Sequence, residues 1–179
     1  KAILMKSWLE NITYTNGEIP MVNDSTYRIV NKSKELFLYS KKLGISSKDI
    51  FLNDSGYRKI NKKNYELFID AGNIGPDYQP GHAHSDTFNY EIFLKTIPFI
   101  VDTGVSTYEK NKIRQKERGT SSHNTVMISD FEQSEVWGGF RVARRAKIFN
   151  IKEWNNGLTA CHDGYKRKKF IHERSFKWS

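Results

Sequence analysis

Among its 179 residues the chain has one cysteine, four prolines and no long apolar run. The single Cys161 excludes an internal disulfide and any cysteine-rich zinc module. Without eighteen consecutive apolar residues, no helix of this sequence spans a bilayer. Glycine and proline are too scarce for a collagen-like or low-complexity chain. The 37% hydrophobic and 13% aromatic content instead supplies enough Phe, Tyr, Trp and Ile for a core. No initiator methionine and no apolar leader open the sequence, which reads as an interior piece of something longer. A glycine-rich phosphate loop, a nucleophile elbow and an H-E-x-x-H helix are all missing. So are helix-turn-helix, RNP-type aromatic and zinc-finger spacings, which leaves no motif in favour of nucleic acid.

What is present is unevenly distributed. The net charge is +9, yet residues 1–140 hold 18 Lys and Arg against 17 Asp and Glu, while residues 141–179 hold 11 against 3. A basic block of this kind attracts polyanions through its long-range field, although a solvated lysine-rich sheet face has the same composition. Residues 1–43 carry helical spacing. Ala2, Ile3, Met5, Trp8 and Leu9 mark a first helix. A second is expected from about Ser25 to Leu43, capped by Asn23, Asp24 or Ser25, with Tyr27, Val30, Lys34, Phe37 and Leu38 along one stripe. From about Asp49 the period changes from 3.6 to 2. Candidate strands cover residues 57–62, 65–70, 87–95, 99–102, 125–129, 141–150, 158–162 and 170–178. No helix-length pattern separates them, so the expected fold class is mainly β, an antiparallel β-sandwich preceded by one or two helices. The division falls at residues 1–45 and 46–179, and the second part ends inside a strand pattern. Residues 103–124 form one long connection, a length that often serves function.

The histidines carry the chemistry. His82 and His84 lie in Gly81-His82-Ala83-His84-Ser85-Asp86. On an extended backbone, positions i and i+2 face the same side, so both imidazoles can converge on one site. Asp102 ends the apolar run Ile97–Val101, and His123 precedes a candidate strand. Two histidines and an aspartate suit a transition metal such as zinc. Each has an ordinary structural alternative, a turn for Asp102 or a strand cap for His123, and spacing alone leaves both open. Tyr108, Arg114 and Arg118 lie in the long connection, where an Arg fork could bind a carboxylate or sulfate. Trp137-Gly138-Gly139-Phe140-Arg141 fits a sugar-stacking edge or a buried β-bulge equally well. Cys161 reads as core.

Several of these stretches occur in the order and spacing of a known family. Gly81–Asp86, Phe99-Ile100-Val101-Asp102-Thr103-Gly104 with Tyr108, and Arg118–Val126 are joined by Gln133–Arg141 and His162-Asp163-Gly164-Tyr165. Together they resemble the C-terminal region of the heparinase II/III-like polysaccharide lyases. The resemblance implies an (α/α) toroid followed by the β-sandwich, with residues 1–43 as the toroid's end. It implies β-elimination on an acidic polysaccharide: a base removes the C5 proton of a uronate, and the bond at O4 breaks. By resemblance His82 is the sandwich-side catalytic histidine, His84, Asp102 and His123 hold a mainly structural zinc ion, and the address is periplasmic or secreted. The tyrosine base and the group that neutralises the carboxylate belong to the toroid, so this chain alone is expected to be a poor catalyst. A carbohydrate-binding or assembly module with a structural zinc site is the alternative reading.

Overall fold

The structure, a computed structural model, describes residues 1–27, 29 and 31–179. Helix α1 (Ala2–Ile12) keeps only part of the expected stripe: Trp8 and Leu9 turn inward with Ile12, while Ala2, Ile3 and Met5 face solvent. Helix α2 covers only Ser33–Lys42, shorter than the sequence pattern suggests. Residues 22–25 form a turn instead, with Ser25 N–H donating to the Val22 carbonyl at 3.1 Å. Asn23 there has φ of +55°, a left-handed conformation that Asn tolerates and a helix cannot contain. Of the expected stripe, Tyr27, Lys34 and Leu38 are exposed and Val30 lies outside the described residues.

Strands β1 (Tyr57–Asn61), β2 (Tyr65–Asp70), β3 (Tyr90–Leu94) and β4 (Ile97–Ile100) form an antiparallel sheet in chain order. The connection that follows contains helix α3 (Lys112–Arg118) and leads to a small ribbon of β5 (Val136–Trp137) and β6 (Arg141–Val142). A second antiparallel sheet joins β7 (Ile148–Trp154), β8 (Gly157–His162) and β9 (His172–Lys177). The two-residue period sets the layers. Phe68 of β2 and Phe93 of β3 face α1 and pack with Ile12, Tyr14, Val22 and Leu52. Leu67 and Ile69 point the other way, onto Phe88 and onto Leu158 and Ala160 of β8. β2 is therefore buried on both faces, and its Leu67-Phe68-Ile69 run is continuous rather than alternating. Each such apolar side chain contributes about 1.5–3 kcal/mol by leaving water. The order helix, sheet, sheet makes this a mainly β chain in which two antiparallel sheets share a core.

Three expectations change. Residues 125–129 form no strand, only a bridge between Ile128 and Phe131, with Ser129 at φ of +49°. The expected strand 141–150 is divided between β6 and β7. Helix α3 is invisible to an apolar-stripe search, because its inward face is made of Arg114 and Arg118, four residues apart and both fully buried.

Candidate active site around Asp24 and the His82–His84 turn

Residues Pro80–His82 make a turn of 3-10 helix, after which Ala83 is extended. The two histidines thus leave the backbone differently from the i, i+2 geometry of a strand. The His82 side chain is 60% exposed, and that of His84 is fully buried. They meet nonetheless, on a residue the histidine spacing does not reveal. Asp24 lies 58 positions before His82. Its Oδ2 accepts from His82 Nδ1 at 2.7 Å and its Oδ1 from His84 Nε2 at 2.9 Å. Arg114 closes the set from α3, Nη1 donating to Oδ1 at 2.8 Å and Nη2 to Oδ2 at 2.9 Å. Burial alone would push the Asp24 carboxyl up. The hydrogen bonds from His84, Arg114 and His82 outweigh it and hold this group well below the usual carboxylate range.

The turn that carries Asp24 is seated by Gly104. With φ of +58°, this glycine brings its backbone so close to the Ser25 carbonyl that a Cβ would stand 2.4 Å from that oxygen. Val105 N–H donates to the same carbonyl at 3.0 Å. A left-handed backbone with no room for a side chain explains glycine at this place. Asp102, two residues earlier, turns inward. Its Oδ2 accepts from His123 Nδ1 at 2.7 Å and its Oδ1 from Gly104 N–H at 3.0 Å.

His84 and His123 then face each other across a buried space, ring centroids 5.3 Å apart. Among the described residues, neither His84 Nδ1 nor His123 Nε2 has a hydrogen-bond partner, and Asp86 Oδ2 beside them has none either. Burial pushes the carboxyl groups of Asp70 and Asp86 up; the charge of Asp86 adds to this at Asp70, while His123 and His84 partly offset it at Asp86. Burial pulls His123 down, but the hydrogen bond and charge of Asp102 outweigh it, so its net shift is upward. Orphaned imidazole nitrogens next to an orphaned carboxylate oxygen form a donor set with the N and O chemistry zinc takes. Among the described residues, no three His, Cys, Asp or Glu side chains already converge as a metal cage.

His82 stands where two depressions of about 530 and 390 Å³ meet, the first also lined by Asn23, Asp70 and Asp86. Its ring centroid lies 6.0 Å from that of Tyr108 and 5.8 Å from that of Phe140. Tyr108 is half exposed, on the same rim. Arg114 and Arg118 have no guanidinium to offer a substrate. Arg114 is buried, its guanidinium 4.9 and 4.5 Å from the ring centroids of Tyr108 and Phe140, and is engaged by Asp24. Arg118 donates to backbone carbonyls, most closely that of Ala83 at 2.9 Å, and so holds the turn between the two histidines. Burial lowers it to about 10. Trp137 is half exposed, with Arg141 stacked 4.8 Å over its ring, and Cys161 is buried.

Residues 45–179 match the protein family described as heparinase II/III-like, C-terminal. No curated protein sequence matches the chain. Among solved structures, the heparan sulfate lyase HepC of Pedobacter heparinus is similar with a TM-score of 0.64 and 20% identity, over 93% of this chain and 28% of that one. A heparinase III gene product gives 0.62 and 19%, over 92% of this chain and 28% of that one. A further heparinase III gives 0.58 and 18%, over 97% and 31%. The chain therefore spans about a third or less of these structures, and the likeness is one of fold.

Proposed function

The chain belongs to the heparinase II/III-like C-terminal family, and from that premise we propose that it supplies the sandwich side of a polysaccharide lyase active site. The substrate class is a uronate-containing acidic polysaccharide, met in the periplasm or outside the cell. One observation carries the reading: His82 is the exposed member of an otherwise buried polar cluster, tied through Nδ1 to Asp24 and set on the rim of a cleft. An imidazole held this way keeps its Nε2 edge for the substrate. Abstraction of a proton beside a carboxylate is difficult because negative charge builds on that carboxylate, so positioned donors and acceptors give most of the acceleration. His82 would act at the uronate and Tyr108 would line the same subsite. Arg114 and Arg118 would hold the two walls of that subsite from inside.

His84 and His123 would hold a zinc ion through their unpartnered nitrogens, with Asp102 or Asp86 giving a carboxylate oxygen. Such an ion would be structural, pinning the segment that follows His82. Elemental analysis of the wild type should find about one zinc per chain, lost in His84→Ala. Asp102→Asn and Asp86→Asn then tell which carboxylate is the ligand.

The test of function is ultraviolet absorbance of unsaturated uronate, generated from a panel of uronate polysaccharides. We expect signal from a longer protein that includes the helical toroid, its loss in His82→Ala, and little signal from this 179-residue chain. Full eliminase activity in the chain alone would remove the need for residues outside it. Glycan binding by the longer protein without any absorbance growth would favour a binding module.

A further inference from the structure

We propose that Asp24 is a positioning residue that fixes the ring tautomers of His82 and His84 together. One carboxylate thereby presents the Nε2 lone pair of His82 to the cleft and the Nδ1 lone pair of His84 to the space in front of His123. What His82 does with that lone pair rests on the lyase reading; the tautomers themselves do not.

The direction of the hydrogen bonds follows from the acceptor. An ionised carboxylate has only lone pairs to offer, so each ring nitrogen beside it must carry hydrogen. His82 approaches with Nδ1 and His84 with Nε2, at 2.7 and 2.9 Å. In a neutral imidazole the proton on one nitrogen leaves the other as a lone pair. As neutral rings the two histidines are consequently opposite tautomers, although a single residue separates them in sequence. The His84 Nδ1 atom is fully buried and, among the described residues, unpartnered, so a hydrogen placed there would find no acceptor.

Asp24 cannot relax this arrangement by rotating, because Arg114 donates one N–H to each of its oxygens in a planar fork. Arg114 is itself anchored, its Nε donating to the Gly139 carbonyl at 2.8 Å and its guanidinium packed against the rings of Tyr108 and Phe140. The two oxygens thus receive four donors from three side chains. The exposed ring and the buried ring are branches of one fixed support.

Long-range proton–nitrogen NMR on chain labelled with ¹⁵N-histidine reads both tautomers directly. The wild type should show His82 protonated on Nδ1 and His84 on Nε2. In Asp24→Asn the amide can turn its oxygen to only one of the two rings. Its NH₂ then donates to the other, which must invert its tautomer. A wild type with His82 protonated on Nε2 would overturn the proposal, as would a folded Asp24→Asn chain in which both tautomers persist. The wild-type spectrum decides even where the variant does not fold. Turnover of the longer protein is the second readout, expected to fall about 10- to 100-fold in Asp24→Asn. If the wild type shows no turnover at all, the lyase reading fails while the spectrum still judges Asp24.

Discussion

Acid should loosen the second sheet through a single pair of histidines. His162 of β8 and His172 of β9 face each other in register, with His162 Nε2 and His172 Nδ1 2.8 Å apart. Gly164 N–H donates to His162 Nδ1 at 3.1 Å, so that nitrogen is a lone pair and the His162 proton sits on Nε2, donated to His172. There is no place for a further proton without setting N–H against N–H. Burial, and then the charge of His172, lower His162 from 6.5 to about 4; burial, then Arg174, lowers His172. A histidine whose pKa is depressed by folding binds fewer protons in the folded chain than in the unfolded one. Its contribution is intact above about pH 6.5 and is lost as pH falls toward 4. At 1.36 kcal/mol per unit, integration between about pH 7 and about pH 4.5 gives a loss of about 2 kcal/mol from His162. The assay is urea unfolding of wild type and His162→Phe at both pH values. Phenylalanine fills the space beside Phe88 and Tyr165 but takes no charge. The variant starts less stable by about 1–3 kcal/mol, because Gly164 N–H loses its acceptor. The gap between the two proteins should then narrow by about 2 kcal/mol at the lower pH. A gap that stays constant would refute the assignment of acid sensitivity to this pair.

Two further outcomes can be checked. A Cβ on Gly56 would stand 2.1 Å from the Cα of Gly72, on a backbone with φ of +77°, so Gly56→Ala should cost about 2–4 kcal/mol and lower the thermal midpoint; an unchanged midpoint would mean that these two turns separate freely. Lys166, Arg167, Lys168 and Lys169 form an exposed basic turn between β8 and β9. Replacing all four with Gln should weaken binding of an acidic polysaccharide and flatten its salt dependence by roughly one released counterion for each cation that meets the polyanion, whereas an unchanged slope would place the polyanion elsewhere.

The sequence is most readable where local rules and tertiary structure agree. β1, β2, β8 and β9 lie within a few residues of where a two-residue period and turn residues put them, and the change from helical to strand spacing is real. It misleads where a polar network overrides those rules. Asn23-Asp24-Ser25 has the composition of a helix cap, but Asp24 is drawn into the site by His82, His84 and Arg114. Arg114 and Arg118 have the sequence setting of surface ligands, because charged residues in long connections usually face water; here both point inward and form the buried face of α3. Spacing cannot show this, because each of these interactions joins segments far apart in the chain.

The same contrast bears on why the site has this form. A group that must accept from a substrate cannot be held by apolar packing alone, since packing fixes the plane of an imidazole but not which nitrogen bears the proton. That choice requires a hydrogen-bond partner on one ring nitrogen, and where the partner is a carboxylate drawn in from water, as Asp24 is, it requires counter-donors. Asp24 therefore brings Arg114, Arg114 brings the Tyr108 and Phe140 rings and the Gly139 carbonyl, and the turn carrying Asp24 brings Gly104. Asp102, two residues before that glycine, does for His123 Nδ1 what Asp24 does for His84 Nε2. Each of the two facing rings is thus held by its own carboxylate on one nitrogen and has the other left unpartnered among the described residues. A cluster built this way changes as a unit, so double variants such as Asp24→Asn with Arg114→Met should be far less than additive in stability.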